Sequence, residues 1–338
     1  MRGLFFVNVI FVTLQFYCLS YLCNMKGIAI ISLFFIISCG GIESEIKSIN
    51  TETELGEKLF FDPILSQDQS ISCGSCHKPE FAFADNRELS LGVNDNLGTR
   101  NTPSVMNMAS RPHFFYDGRS ETLEEQAIGP IENPVEMNLK MSEAVIRLNQ
   151  SELYIKLYKK IYMEEPTIEN TTRALAEFQR SLESDGSAPH DKWMNDEDPM
   201  ALTESQKRGR ELFLDKGKCF DCHFGPDFTG DEFRNIGLYD EKEYKDKGRF
   251  DFTKDSADLG KFKVPGLRNV SLTAPYMHDG SLKTLEEVVE FYSDLYMFVP
   301  NPINLDTIMV EPLKLSPSEK EDLVNFMHSL TDEKIYKN

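Results

Sequence analysis

The sequence predicts a mainly α-helical protein built from two similar domains. The chain has 338 residues, which is more than a single hydrophobic core usually organises. Apolar residues recur at helical spacing in several segments, whereas strand-like alternation is scarce. A block of motifs in the first half of the chain also returns in the second half. Length, periodicity and repeat together favour two helical domains of ordinary size.

The chain is strongly acidic. Its 55 acidic and 36 basic residues give a formal net charge of −19, and the excess is spread along the whole length. A surface of this sign repels phosphate, which argues against nucleic acid as a partner. It would instead attract a basic protein, although an acidic surface also serves solubility alone.

Residues 1–38 are expected to be a signal peptide of the lipoprotein type. They contain no Asp or Glu, and an apolar run over residues 28–37 follows a charged start at Met25. That order is typical of a secretory signal, with Met25 as the true start. A single signal anchor over about residues 4–38 is the alternative, but such a helix would be longer than a bilayer requires.

The leader ends at Cys39, whose surroundings are similar to the cleavage site of bacterial lipoproteins. Lipid on Cys39 would hold the mature protein at a membrane surface without spanning it. Residues 39–53 are then a polar tether. The body is expected to be periplasmic.

Four of the seven cysteines stand in two Cys-x-x-Cys-His runs. The runs are Cys73, Cys76 and His77, and Cys219, Cys222 and His223. Two thiols at this spacing bind the two vinyl groups of one heme, and the following histidine ligates its iron. A zinc site rarely has such distant pairs and does not need the histidine, and a redox dithiol usually lies in a strand-containing fold. The runs therefore predict two covalently bound heme c groups in two cytochrome c-like heme domains that face each other.

The block after each heme run is repeated. Arg100-Asn101, Asp117-Gly118 and Thr122-Leu123-Glu124-Glu125 correspond to Arg268-Asn269, Asp279-Gly280 and Thr284-Leu285-Glu286-Glu287. Each threonine is a candidate N-cap, because acidic residues follow it in the first helical turn. Each copy should therefore begin a helix that lies over its heme.

Counting onward from the matched aspartates, Pro130 in the first copy corresponds to Tyr292 in the second. Proline cannot ligate iron, whereas tyrosinate can. The first heme is therefore expected to be open on its distal side and the second to be closed by Tyr292. A packed core aromatic is the alternative role for Tyr292.

Helical spacing also predicts helices over residues 142–162, 171–182, 204–214 and 317–330. The segment 185–200 is a long loop rich in Gly, Pro and Asp, and it is predicted to be a linker. It separates an N-terminal domain, 54–184, from a C-terminal domain, 201–338.

Together, the motifs resemble those of the bacterial diheme cytochrome c peroxidases, a family that includes the MauG-like branch of methylamine utilisation. They are Cys73-Gly-Ser-Cys76-His77, Arg100-Asn101-Thr-Pro103, Phe115-Tyr-Asp-Gly-Arg119, Gln126-x-x-x-Pro130-x-x-Asn133-Pro134-x-Glu136-Met137, Cys219-Phe-Asp-Cys222-His223 and Thr273-Ala-Pro275-Tyr-Met-His278-Asp-Gly280. The resemblance implies a peroxidatic N-terminal heme and an electron-transfer C-terminal heme. It also implies hydrogen peroxide as substrate and a small cytochrome c or cupredoxin as electron donor. The resemblance is compatible with assembly as a homodimer.

By position, Gln126 and Glu136 match the family's distal pair, and Asn101 with the carbonyls of Thr273 and Pro275 matches its interdomain calcium site. If burial raises its pKa, Glu136 can take a proton from the inner oxygen of peroxide and return it to the outer one. Gln126 would orient the peroxide by hydrogen bonding. A surface carboxylate and a surface amide are the alternative roles of these two residues.

Three departures from the family pattern bear on function. Residues 81–99 contain no histidine that could block the first heme, so it should be open without prior reduction. His113 lies outside that loop and is expected to pack against it. Tyr292 stands where a methionine ligand is usual, as in the MauG-like branch, with Met297 and Met277 as alternative ligands. Tyr116 stands where many relatives have a tryptophan that relays charge between the hemes.

The resemblance leaves three functions open. A peroxidase is favoured, and the alternatives are a MauG-like oxidase of a protein substrate and a diheme carrier without catalysis. An oxidase that used a surface tryptophan would have to use Trp193, the one tryptophan in the chain. His190 and His328 have no assigned role and are expected in loops or at the surface.

Overall fold

The computed structural model describes residues 42–336. The predicted signal peptide and the lipid site at Cys39 lie outside these residues. Residues 42–48 are helical, and Asn50–Asn338 forms one compact unit. Among the described residues, no helix combines the length and apolar character needed to cross a membrane.

The compact unit is mainly helical, as the sequence predicts. Its helices are α1 (Glu52–Phe61), α2 (Cys73–Cys76), α3 (Leu123–Glu132), α4 (Met141–Leu148), α5 (Glu152–Tyr162), α6 (Ile168–Ser181), α7 (Pro189–Met194), α8 (Glu204–Leu214), α9 (Phe250–Thr253), α10 (Leu285–Ser293) and α11 (Pro317–His328). Within residues 42–336, the sheet is a two-stranded antiparallel pair, β1 (Phe233–Arg234) and β2 (Phe262–Lys263). Long loops and short 3-10 turns make up the rest.

The two predicted caps are present. Thr122 precedes α3 and accepts a hydrogen bond from the Glu125 amide at 3.1 Å. Thr284 precedes α10 and accepts one from the Glu287 amide at 3.2 Å. The repeated block therefore begins a helix in each half, because the side chain satisfies a backbone donor that the first turn leaves free.

One predicted helix is divided in two. The segment 142–162 forms α4 and α5, with a break between them. The Asn149 amide donates to the carbonyls of Val145 and Pro166, each at 2.9 Å, and the Ser151 side chain caps α5. These short polar side chains satisfy the backbone at both ends, so the chain turns despite its continuous apolar spacing.

The predicted linker, 185–200, contains the helix α7. Its His190 and Asp191 are buried rather than exposed. Asp191 accepts hydrogen bonds from Arg268 at 2.5 and 3.1 Å, so this segment is tied to the second half of the chain. His328, by contrast, is exposed at the end of α11.

A close helix crossing is repeated in the two halves. α1 packs against α6 and α8 packs against α11. A Cβ atom at Gly56 would lie 1.9 Å from the Ala174 carbonyl oxygen, and one at Gly209 would lie 1.9 Å from that of Asp322. Only glycine permits such an approach of the two backbones.

Each crossing carries a cluster of three phenylalanines. The first aromatic triad is Phe60, Phe83 and Phe178, and the second aromatic triad is Phe213, Phe228 and Phe326. The ring centroids lie 5.0 to 6.3 Å apart in the first and 5.2 to 6.3 Å apart in the second. The two halves are therefore structural repeats in their cores as well as in their motifs.

Candidate active site

A single cavity of about 1000 Å³ is lined by both Cys-x-x-Cys-His runs. The four thiols at its wall are free. Burial raises the pKa of Cys73 to about 12 and that of Cys219 to about 12. Free thiols in pairs beside a large, mostly apolar cavity fit a covalently attached heme at each run.

The two proximal histidines are held in the same way. The Nδ1–H group of His77 donates to the Phe83 carbonyl at 2.9 Å, and that of His223 donates to the Phe228 carbonyl at 2.9 Å. This bond fixes each ring and leaves Nε2 available to a metal. Burial also lowers the pKa of both histidines, which favours the neutral imidazole that ligation requires.

Gln126, Pro130 and Glu136 line the cavity at the first run. Glu136 lies close enough for its charge to raise the pKa of Cys73 and Cys76. Pro130 lies inside α3 and offers the cavity no ligand atom. Gln126 and Glu136 therefore line the same cavity as the first Cys-x-x-Cys-His run, together with Pro130.

Burial is the main influence on Glu136, and it raises the pKa of this carboxyl group. The Asn133 amide donates to Glu136 Oε1 at 2.6 Å and lowers the pKa, as does the nearby Arg119. The net shift is upward. Glu136 is thus a half-buried carboxyl group with a fixed orientation rather than a solvated surface carboxylate.

The loop that lacks a blocking histidine packs directly behind Glu136. The Val93 amide donates to the Glu136 carbonyl at 2.8 Å. A Cβ atom at Gly92 would lie 2.6 Å from that carbonyl oxygen and 2.2 Å from the Val135 oxygen. The loop therefore supports the backbone of Glu136, and glycine is needed for the close approach.

Tyr292 lines the cavity at the second run, on α10. Burial raises the pKa of its phenol, and the neighbouring Cys222 and Cys219 raise it further. Of the alternative ligands, Met297 is 73% exposed, whereas Met277 lines the cavity. Tyr292 therefore lies near the second Cys-x-x-Cys-His run.

Tyr116 and the three predicted calcium ligands line the same cavity. Burial raises the pKa of Tyr116, and its carbonyl accepts from the Lys263 amide at 2.7 Å. The Asn101 amide group donates to the carbonyls of Arg87 and Glu88 at 3.1 and 3.2 Å. Thr273 and Pro275 lie on the opposite half of the chain. Across residues 42–336, no three acidic, His or Cys side chains cluster as a metal site.

An arginine that no sequence motif singled out as a link joins the two halves. Arg100 donates to Asp117 at 2.8 Å and to both oxygens of Asp246 at 2.6 and 2.9 Å. Asp246 belongs to the second half, so this guanidinium bridges the two heme domains. The one sequence signal for a special role of Arg100 was its repetition as Arg268. In the structure Arg268 also pairs with an aspartate, Asp191.

His113 also differs from a simple loop residue. Its ring centroid lies 5.6 Å from that of Phe233 in the second half. Its Nδ1 is buried without a hydrogen-bond partner in the structure. The residue therefore packs between the halves.

Comparison with known proteins places these features in one family. The family model described as "Di-haem cytochrome c peroxidase" matches residues 50–199. Cytochrome c551 peroxidase of Nitrosomonas europaea is 40% identical over 252 residues, which cover 72% of this chain and 75% of that one. Methylamine utilization protein MauG of Methylorubrum extorquens is 39% identical over 284 residues, which cover 82% of this chain and 78% of that one.

Two solved structures have folds similar to that of this chain. A MauG-like protein associated with microbial copper homeostasis has a TM-score of 0.76 at 32% identity, over 84% of this chain and 90% of that chain. The diheme peroxidase BthA from Burkholderia thailandensis has a TM-score of 0.74 at 24% identity, over 83% of this chain and 86% of that one. The first supports close kinship, and the second shows the fold alone.

Proposed function

The chain belongs to the di-haem cytochrome c peroxidase family, and on this basis we propose that it reduces hydrogen peroxide to water with electrons from a small redox protein. The observation that carries the proposal is Glu136. This half-buried carboxyl group, with a pKa raised by burial, lines the same cavity as Pro130, which α3 presents instead of a ligand.

The residues that would hold the two heme c groups are the four thiols and two histidines of the Cys-x-x-Cys-His runs. When bound, the hemes supply the redox equivalents and an open iron position for peroxide at the first site. The hydrogen bonds from His77 and His223 to backbone carbonyls keep both rings oriented.

Glu136 would move the proton during the reaction. As a carboxylate it takes a proton from the inner oxygen of peroxide, and as a carboxylic acid it returns that proton to the outer oxygen as the O–O bond breaks. A pKa raised toward neutrality suits both roles. Gln126 would orient the peroxide by hydrogen bonding, and Asn133 would orient Glu136.

Electrons would enter at the second site, where we propose His223 and Tyr292 as the iron ligands. Tyr116, which lines the cavity, is the proposed relay to the first site. Because burial raises its pKa, oxidation of Tyr116 would have to release the phenolic proton together with the electron. Replacement by Phe should therefore slow transfer between the hemes.

A MauG-like oxidase of a protein substrate is the second candidate, and Tyr292 favours it. Tyrosinate stabilises ferric iron, so a heme with this ligand would accept electrons from a small donor less readily. Relatives named MauG are about as similar to this chain as those named peroxidases. Steady turnover of peroxide with a reduced donor protein distinguishes the two.

We also propose the finer features that the sequence suggested. They are a lipid anchor at Cys39, a periplasmic location, calcium between the halves at Asn101, Thr273 and Pro275, and assembly as a homodimer. Calcium is supported by three oxygen-bearing residues from both halves at one cavity. Chelation should then loosen the halves and lower activity, and added Ca²⁺ but not Mg²⁺ should restore it.

The deciding experiment is the reaction of the diferric holoprotein with one equivalent of peroxide, followed by absorption and paramagnetic resonance. A high-spin ferric signal that disappears at once on mixing, beside a low-spin signal, supports an open first site. Two low-spin signals that ignore peroxide until one heme is reduced would contradict it. Turnover with a reduced small cytochrome or cupredoxin then tests the donor.

A further inference from the structure

The C-terminal tail crosses from the second half of the chain to the first. After α11, Asn269 holds the tail through two hydrogen bonds with Asp332, at 2.8 and 2.9 Å. The Glu333 amide then donates to Ser187 Oγ at 2.9 Å. The described chain ends at Tyr336, whose ring lies against the first aromatic triad.

The first aromatic triad connects Tyr336 to the proximal histidine. The Tyr336 ring centroid lies 5.2 Å from that of Phe83, and Phe83 lies 6.2 Å from Phe60. Phe60 in turn lies 6.2 Å from His77. The Phe83 carbonyl also accepts the His77 hydrogen bond. Tyr336 is therefore joined to the proposed peroxidatic site by a continuous chain of ring contacts.

Tyr336 has a proton acceptor in contact. Its phenolic O–H donates a short hydrogen bond to Glu57 on α1. Burial and this carboxylate both raise the pKa of Tyr336, so the phenol does not ionise by itself at neutral pH. Loss of an electron from the ring would release the proton, and Glu57 is placed to receive it.

The second half provides an internal comparison. There the corresponding position over the second aromatic triad is filled by His190, whose ring centroid lies 5.4 Å from Phe228 and 5.6 Å from Phe326. Imidazole is far harder to oxidise than phenol. Among residues 42–336, an oxidisable phenol thus lies over the triad of the half that is proposed to react with peroxide, and an imidazole lies over the other triad.

We infer that Tyr336 and Glu57 form a second oxidation site, an outlet for oxidising equivalents when no electron donor is bound. The inference rests on the proposed function, since peroxide is the oxidant. The Tyr336 ring loses one electron, and its phenolic proton goes to Glu57, which leaves a neutral tyrosyl radical. Glu57 then passes this proton to solvent, so each chain loses one electron and one proton, and two chains together balance the reduction of one peroxide to two waters.

The test is rapid freezing of donor-free holoprotein after mixing with half an equivalent of peroxide, with paramagnetic resonance as the readout. We expect a tyrosyl signal that narrows when the tyrosines are ring-deuterated. Tyr336→Phe should lower its yield at least tenfold. Glu57→Gln should lower it severalfold, because the amide accepts the hydrogen bond but not the proton.

Two variants serve as matched controls. Tyr162→Phe removes another half-buried phenol, one whose ring packs against Tyr158. His190→Phe changes the equivalent position over the second aromatic triad. Both should keep the full radical yield, and heme content and thermal unfolding confirm that each variant folds.

Peroxide consumption is measured in the same samples. Peroxide consumed with an undiminished radical in Tyr336→Phe, or with no tyrosyl radical, overturns this inference and leaves the proposed function standing. No consumption by the wild-type protein overturns the proposed function and this inference with it.

Discussion

At the residue scale, the environment of Glu136 suits the proposed transfer of a proton by its carboxyl group. Its ordinary pKa of 4.5 would leave it ionised throughout the neutral range, with little tendency to give a proton back. Burial raises that pKa, while Asn133 and Arg119 limit the rise. The net rise makes Glu136 easier to protonate than a solvated glutamate, which favours its proposed return of the proton.

Glu136→Gln should lower kcat/KM for peroxide by about 10²- to 10⁴-fold, since general acid–base catalysis contributes about that factor. The amide keeps the size and the Asn133 contact but cannot carry the proton. Stopped-flow reaction with peroxide measures the effect. Glu132→Gln, at an exposed position at the end of α3, is the control, and an equal loss in both would refute the role of Glu136.

The pH dependence of kcat/KM should follow the pKa of Glu136. Proton uptake needs the carboxylate, so the rate falls as pH drops through this pKa, at a pH above 4.5. Asn133→Ala removes a hydrogen bond that lowers the pKa, so the acid limb should move to higher pH. The control is Asn325→Ala, which removes an amide that donates to Ser205 in the second half and should leave the acid limb of the profile in place. An acid limb that does not move in Asn133→Ala would contradict the assignment of that limb to Glu136.

At the scale of elements, the two helix crossings determine where each heme attachment lies. α1 leads into the first Cys-x-x-Cys-His run and α8 into the second. Each must approach its partner closely for the phenylalanines of the triads to meet behind the proximal histidine. The sequence shows this as a repeated pattern, Gly56-x-x-Leu59-Phe60 and Gly209-x-x-Leu212-Phe213, whose meaning is clear only from the packing.

Gly56→Ala and Gly209→Ala should each destabilise the protein by about 1 to 3 kcal/mol or more, because the added methyl group collides with the partner backbone. Thermal unfolding of the holoprotein measures the loss. Gly98→Ala, where a Cβ atom would meet its nearest neighbour at 3.5 Å, should change stability by less than about 0.5 kcal/mol. Equal midpoints in all three variants would show that the helices can separate freely.

At the scale of the whole molecule, the proposed passage of electrons from one half to the other requires that the two halves stay in register. Arg100 joins them through Asp117 and Asp246, and Arg111 joins them through Asp227 and Asp231. Arg100, Arg111 and their partners other than Asp231 line the cavity, and all of these side chains are only partly exposed. Removing one member leaves charge without a partner, which costs more than losing a surface ion pair.

Arg100→Gln should destabilise the protein by about 2 kcal/mol or more, and it should slow electron transfer between the hemes. Chemical unfolding and transient reduction of the second heme measure the two effects. Arg173→Gln, which removes an exposed pair with Glu52, should cost less than about 1 kcal/mol. Unchanged transfer in Arg100→Gln would mean that other contacts hold the register.

The sequence by itself predicted the heme attachments and the capped helices α3 and α10, and it showed the contrast between Pro130 and Tyr292. Each depends on residues close together in the chain, where spacing alone sets which groups can meet. The division of 142–162 shows the limit of that reasoning, because apolar spacing continues through a break that Asn149 and Ser151 impose.

Only the tertiary structure decided which distant groups meet. The partner of Arg100, the buried setting of His190 and the position of Tyr336 against Phe83 all join residues far apart in sequence. No local pattern encodes such pairings, since they follow from how the helices pack and where the loops must cross. The same packing determines the pKa of Glu136, because burial is a property of the folded molecule and not of the motif.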